Sequence, residues 1–272
     1  MSEHPSIAFI GGGNMASAII GGLLRSGRPA ASLRVIEPYA PQRERLAQQF
    51  GLAALAAPDD SLAGAGLVVW AVKPQLFAEA AAPCRGLVAG ALQLSVMAGI
   101  PSEALARASG SERVVRAMPN TPALIGQGMA GLYARAAVSA ADRQLVEEVL
   151  RPTGATLWVE QESQIDAVTA LSGSGPAYFF FVVEAMMQAA QELGLSAEQG
   201  RQLALATCAG AAALGLQSAD SPTQLREKVT SKGGTTHAAI SSLQADAVDA
   251  AIVRAVRAAE ARARELGAEF GR

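Results

Sequence analysis

The chain has 272 residues, 50% hydrophobic and 17% charged, which is ample for packed cores and excludes a disordered chain. Its formal net charge is −2 and it has no basic run, which argues against a nucleic-acid surface.

Aromatic residues make up only 4% and alanine is abundant, a composition suited to helices whose backbones pack closely. Cys84 and Cys208 stand far apart in apolar, alanine-rich surroundings without metal-ligand spacing. A reduced, cytoplasmic protein without a metal site is therefore expected. The stretch Met1-Ser2-Glu3-His4-Pro5 lacks the basic start of a secretion signal. No apolar run reaches the roughly 18 residues of a membrane span.

In chain order, Ile7-Ala8-Phe9-Ile10 is a short apolar run that ends in Gly11-Gly12-Gly13-Asn14-Met15-Ala16. Beyond it Ala18, Ile19, Leu23 and Leu24 recur at helical spacing. This predicts a buried strand, a tight turn and a helix. A second strand is predicted over 33–36 and a helix over 42–50. Further apolar strands follow over 67–72, stopped by Lys73-Pro74, over 92–98, and over 114–118, stopped by Pro119-Asn120-Thr121-Pro122. Such runs alternating with helices belong to a parallel sheet covered on both faces. Two more strands are expected over 129–134 and 156–159, with a helix over 140–150 between them. From Ser163 onward helical stretches dominate, over 178–193, 197–216 and from 235 to the end. Two domains are expected, 1–162 and 163–272.

Gly11-x-Gly13-x-x-Ala16 is a dinucleotide-binding fingerprint with alanine in the third place. Gly11 permits the tight turn, Gly13 lets a pyrophosphate approach the backbone, and Ala16 keeps the helix close to the strand. Asn14 and Met15 open that helix, whose N-terminus offers unpaired N–H groups to an anion. Glu37 ends the second strand, where an acid accepts hydrogen bonds from the adenosine ribose. Arg43 and Arg45 follow and could instead meet a 2′-phosphate. NADH and NADPH both remain open as cofactor.

Several blocks then join up: Ala71-Val72-Lys73-Pro74-Gln75, Arg116-Ala117-Met118-Pro119-Asn120-Thr121-Pro122, Leu171-Ser172-Gly173-Ser174-Gly175-Pro176-Ala177-Tyr178, and Val229-Thr230-Ser231-Lys232-Gly233-Gly234-Thr235-Thr236. In this order they resemble the pyrroline-5-carboxylate reductases. The resemblance implies an α/β fold with an N-terminal Rossmann-type parallel-sheet domain, then an all-α domain that dimerises. It implies hydride transfer from NADPH or NADH to the cyclic imine 1-pyrroline-5-carboxylate, giving L-proline. It also implies a homodimer whose site combines one subunit's cofactor with the other's helices, and larger rings such as a decamer.

That reaction needs the nicotinamide against the C=N carbon, an anchored substrate carboxylate and a proton for the nitrogen; it needs no metal, because the cofactor carries the hard step. Ser231, Gly233, Gly234, Thr235 and Thr236 form a glycine-containing loop feeding a helix, a place that suits an anion. By resemblance this stretch holds the substrate carboxylate, and the Thr236 hydroxyl bonds the ring nitrogen as the catalytic group. The plainer alternative is that the threonines only cap the helix. The family usually has proline where Lys232 stands, and often a glutamate before the proline that Pro222 matches. Here Ser218-Ala219-Asp220-Ser221 precedes it, and Asp220 is not assigned to the site.

By resemblance the backbone of Ala71, Val72, Lys73 and Pro74 runs along the cofactor, with Lys73 supporting the loop rather than moving protons. Met97 and Ala98 wall the cofactor cleft. The Asn120 amide either meets the nicotinamide or fixes its own loop. Ser172 to Pro176 reads as a helix-starting turn, the alternative being a lining of the substrate pocket. Phe179, Phe180 and Phe181 read as core and dimer interface. His237 reads as a helix residue.

Rival activities are reduction of a related imine or keto acid, and a non-catalytic nucleotide-binding regulator. Hydroxyacid dehydrogenases of this shape generally place a catalytic lysine on the first long helix after the sheet domain, and 163–193 contains no lysine.

Overall fold

The computed structural model describes residues 5–270. Strand and helix alternate as β1 (Ile7–Ile10), α1 (Asn14–Arg25), β2 (Leu33–Ile36), α2 (Ala40–Phe50), β3 (Leu67–Trp70), α3 (Phe77–Ala81), β4 (Leu92–Ser95), α4 (Ser102–Ser109) and β5 (Val114–Met118). Then come β6 (Gly128–Ala134), α5 (Ala140–Leu150) and β7 (Gly154–Trp158). The strands form one seven-stranded sheet in the order β2-β1-β3-β4-β5-β6-β7.

Neighbouring strands run parallel except β5 and β6, so the sheet is mixed rather than wholly parallel. Connection length explains this. A parallel return needs a crossover of about a dozen residues or more, but β5 and β6 are joined by a segment holding only the short 3-10 turn Thr121–Ile125. The chain therefore reverses. α5 spans the next gap, and β7 lies parallel to β6.

β1 and β3 are buried at every residue, as strands covered on both faces must be. Alternation sends Ile7 and Phe9 into one core layer with Ile19, Ile20 and Leu23 of α1. Ala8 and Ile10 enter the opposite layer with Trp70, Phe77 and Leu105. The two-residue period of a strand thus pins a helix layer to each face of the sheet.

The chain divides into two compact units: one built on the sheet, running to Ser174 and resuming at Ala259, and one over Gly175–Ala258. In the first, Glu162 fastens the segment after β7 to the sheet. Its carboxylate accepts from the Ser102 N–H and hydroxyl at 2.6 Å each and from Arg116 at 2.9 Å. Burial opposes its charge, yet the donors from Ser102 and Arg116 outweigh burial and hold its pKa below the ordinary value. After Glu162 come α6 (Gln164–Val168) and a π-helical turn, Thr169–Gly173.

The second unit holds α7 (Gly175–Glu192), α8 (Ala197–Gln217), α9 (Pro222–Lys228), α10 (Thr235–Ala245) and the first half of α11 (Val248–Phe270). The single helix expected from residue 235 onward is two helices, broken beside Ala247, which takes a φ of +51°. α9 was not foreseen, although Ser221 and Gln224 form a reciprocal cap at its start. These helices bury little: α8 buries only Gly200 and Ala204, and α9 and α10 bury no residue. Phe179, Phe180 and Phe181 of α7 are exposed. Apolar helices this open in one chain mark an interaction surface. Among the described residues no helix is long and apolar enough to cross a membrane.

Candidate active site

The strand order reverses between β1 and β3, from which the chain winds to β2 on one side and to β4 on the other. Ligands of open α/β sheets bind at such a point, outside the carboxyl ends of the strands. Two loops meet there. Gly11 has a φ of +96°, and a Cβ on it would stand 2.6 Å from the Ala71 carbonyl oxygen. Its N–H donates to the Ile36 carbonyl and the Ala71 N–H to the Ile10 carbonyl, both at 2.8 Å. Gly11 therefore serves a left-handed turn and the close approach of the neighbouring loop together.

Gly13 differs. Its φ of −67° is open to any residue, and nothing lies within 4 Å of where a Cβ would be. The backbone there faces open space, a cradle that a side chain would fill. α1 starts at Asn14 with no side-chain cap and no acidic residue in its first turn, so its leading N–H groups are left for an anion. Ala16 is wholly buried, Met15 packs against the core and Asn14 is exposed. These features fit a dinucleotide pyrophosphate.

Glu37, just past β2, is held from two sides. The Gly12 N–H donates to its Oε2 and the Tyr39 N–H to its Oε1, each at 2.9 Å. Arg43 Nη1 donates to the carbonyls of Glu37 at 2.9 Å and Pro38 at 2.6 Å, and Gln42 Nε2 to the Gly12 carbonyl at 2.6 Å. Beside them opens a largely apolar cavity of about 280 Å³ lined by Gly11, Pro38, Ala57, Pro58, Val72 and Leu76. Sequence reasoning missed Ala57 and Pro58, because neither carries chemistry that a motif could announce.

Val72 and Ala71 are half-buried, Lys73 is exposed, and Pro74 opens a 3-10 turn after it. Met97 is buried with its side chain in the core, and Ala98 is half-buried, so Met97 can offer the cleft only its backbone. Asn120 uses both ends of its amide. Its oxygen accepts from the Met129 N–H at 2.9 Å, and its nitrogen donates to the Ser172 hydroxyl at 3.2 Å and carbonyl at 3.3 Å. Pro176 explains the last bond: it lacks the N–H that would bond the carbonyl four residues back in a helix. That carbonyl is Ser172, and Asn120 supplies the missing donor. Within Ser172 to Pro176 the π turn ends and α7 starts at Gly175, so Pro176 stands in the first turn of α7. The chain passes from α6 through the π turn into α7 without leaving helical geometry, and π turns recur at functional sites.

In the second unit, Ser231-Lys232-Gly233-Gly234 makes a tight turn. The Gly234 N–H donates to the Ser231 carbonyl at 3.0 Å, and Gly233 has a φ of +76°. That is the type II pattern, which favours proline at the second position, held here by Lys232. Gly234 is the N-cap of α10, with no side-chain cap and no acid in the first turn. Thr235 and Thr236 lie inside the helix, so neither caps it, and the purely capping alternative fails. Thr235 is exposed and Thr236 half-buried; His237 is part of α10. Asp220 pairs with Lys228 and accepts from the Ser218 hydroxyl, so it fastens the turn between α8 and α9. Because the turn already has the shape proline prefers, Lys232→Pro is expected to raise stability by about 0.4–1 kcal/mol. The same variant should shift the KM for the substrate while keeping the reaction. Thermal unfolding and steady-state kinetics check both; a destabilised variant would show the turn to be of another kind.

Two family models match different parts of the chain. Residues 162–266 match the family described as pyrroline-5-carboxylate reductase dimerisation, and residues 6–99 match NADP oxidoreductase, coenzyme F420-dependent. The pyrroline-5-carboxylate reductase of Pseudomonas aeruginosa is 47% identical over 271 residues, covering 98% of each chain. That of Haemophilus influenzae is 41% identical, covering 98% of this chain and 100% of the other. The solved pyrroline-5-carboxylate reductase of Coxiella burnetii superposes with a TM-score of 0.89 at 35% identity, covering 96% of this chain and 98% of that one. The Plasmodium falciparum pyrroline carboxylate reductase, solved with NADP bound, superposes with a TM-score of 0.86 at 26% identity, covering 97% and 99%. Full-length identity at this level, joined to a sheet domain with an open nucleotide cradle and a helical unit matching the dimerisation family, means that the chain belongs to the pyrroline-5-carboxylate reductase family.

Proposed function

We propose that this chain reduces 1-pyrroline-5-carboxylate to L-proline, the last step of proline biosynthesis, with two backbone cradles serving cofactor and substrate. The observation that carries this reading is a pair of helix N-termini, those of α1 and α10, each with a glycine N-cap and no acidic first turn. Each is suited to an anion. A reduced nicotinamide held by the sheet domain supplies the hydride that the C=N carbon accepts.

The chain's own residues do the rest. Gly11, Gly13, Asn14, Met15 and Ala16 hold the pyrophosphate at the start of α1, and Glu37 takes the adenosine ribose. The backbone of Ala71, Val72, Lys73 and Pro74 borders the cofactor, with Met97 and Ala98 beyond it. Asn120 acts by fixing its loop against Ser172. Ser231, Gly233, Gly234 and Thr235 hold the substrate carboxylate, and the Thr236 hydroxyl orients the ring nitrogen and relays a proton to it. Residues 1–162 serve as the dinucleotide domain and 163–272 as the dimerisation and substrate domain. The helical region is the dimerisation region of the family. The site is completed by a second subunit, dimers can close into a decamer, and the protein works in the cytoplasm.

The test is loss of reduced-nicotinamide absorbance on adding pyrroline-5-carboxylate, with NADH and NADPH in parallel. Oxidation with either supports the reading. Tight cofactor binding without oxidation would leave a nucleotide-binding regulator instead.

A further inference from the structure

A pyrophosphate cradle does not distinguish the two nicotinamide cofactors, which differ only by a phosphate on the adenosine ribose. We propose that Glu37 makes this chain selective for NADH over NADPH, an inference that rests on reading the Gly11 to Ala16 loop as the cofactor cradle. Glu37 lies at the end of β2, the position from which an acid reaches the ribose hydroxyls in NAD proteins.

Its carboxylate is held. Oε2 accepts the part-buried Gly12 N–H and Oε1 the exposed Tyr39 N–H, both at 2.9 Å, so it swings away only by giving up both bonds. Each oxygen can accept more than one hydrogen bond. The capacity left over suits two neighbouring ribose hydroxyls, which are donors. A 2′-phosphate brings only acceptor oxygens and negative charge, so it offers the carboxylate nothing to bind and repels it.

The nearest cation is already partly engaged. Glu37 is followed by Pro38 and Tyr39. Arg43 has Nη1 committed to the Glu37 and Pro38 carbonyls, and Arg45 is exposed on α2. Among the described residues, the one charged group lining the neighbouring cavity is Glu79, a second carboxylate. The Plasmodium falciparum relative was solved with NADP, so selectivity for NADH would separate this chain from it.

The experiment is calorimetric titration of the full-length protein with NADH and with NADPH. NADPH is expected to bind at least about tenfold more weakly, about 1.4 kcal/mol. Raising the salt concentration should narrow that ratio, because it screens the repulsion. In Glu37→Gln, and in the smaller Glu37→Ser, the ratio should fall towards one, mainly through tighter NADPH binding. Equal or tighter NADPH binding by the wild type overturns the proposal while leaving the cradle reading intact, as does an unchanged ratio in both Glu37 variants. Binding of neither cofactor removes the cradle reading and the proposal together.

Discussion

Gly11→Ala is expected to lose about 3 kcal/mol of stability and most of its cofactor affinity, whereas Gly13→Val should keep its fold and lose only the cofactor. At Gly11 two costs add. A φ of +96° strains any residue with a Cβ, at about 1–3 kcal/mol. The new methyl carbon would also stand 2.6 Å from the Ala71 oxygen and 2.8 Å from its carbonyl carbon. Those atoms belong to the neighbouring loop's backbone, which cannot turn aside as a flexible side chain would. The loop must move, and the cradle moves with it. At 2–4 °C per kcal/mol, the midpoint of thermal unfolding should fall by roughly 6–12 °C.

At Gly13 the φ is −67° and nothing lies within 4 Å of where a Cβ would stand, so the first carbon of a new side chain meets no clash. Valine is a poorer N-cap than glycine, at about 1 kcal/mol, which limits the fall in midpoint to about 4 °C. The valine would nevertheless occupy the surface meant for the pyrophosphate, and the Kd for NADH should rise at least about tenfold. Titration and thermal unfolding of both variants make the comparison. A normal Kd in Gly13→Val would mean that no nucleotide uses this loop.

The same loop shows what a sequence can and cannot disclose. Its strand, glycine turn and helix are local, and a short apolar run gives way to helical spacing within a few residues, so they are readable directly. Strand ends are not. The apolar runs over 67–72 and 92–98 continue past Trp70 and Ser95, where β3 and β4 stop, because the next residues leave the ladder to build the cleft while staying half-buried or buried. Hydrophobicity records burial and says nothing of who pairs with whom. The antiparallel β6 was hidden for a related reason, since direction follows from the length of the connection rather than from the strand's own residues.

Asn120 illustrates the long-range remainder. Its type and its flanking prolines left two roles open, and the partner that fixes its loop lies 52 residues away at Ser172, where Pro176 offers no N–H to the carbonyl four residues back. The break at Ala247 carries neither glycine nor proline to announce it. The exposed aromatic residues of α7, by contrast, were legible as a group: three consecutive phenylalanines cannot all face the core of one helix. The dimerisation family matched over 162–266 gives the surplus a purpose.

Thr236→Val is expected to lower turnover by about 10- to 1000-fold, the range typical of a positioned proton-transfer group, with the Kd for NADH unchanged. Valine has threonine's shape, and the hydroxyl it removes does not cap α10, whose N-cap is Gly234. The helix should therefore survive with a loss of less than about 1 kcal/mol. An aliphatic hydroxyl is too weak an acid to donate its proton outright, so in the proposed reaction its part is to orient the ring nitrogen and relay a proton to it. The two roles have different signatures. Loss of a true general acid removes a limb of the pH–rate profile, whereas loss of an orienting relay lowers kcat by a similar factor at every pH. The second pattern is expected here, with a smaller change in KM, because the carboxylate cradle is mainly backbone and remains. Thr235→Val, at an exposed position, should raise KM more than it lowers kcat. Unchanged turnover in Thr236→Val would remove Thr236 from the chemistry and leave the start of α10 as an anchor for the substrate alone.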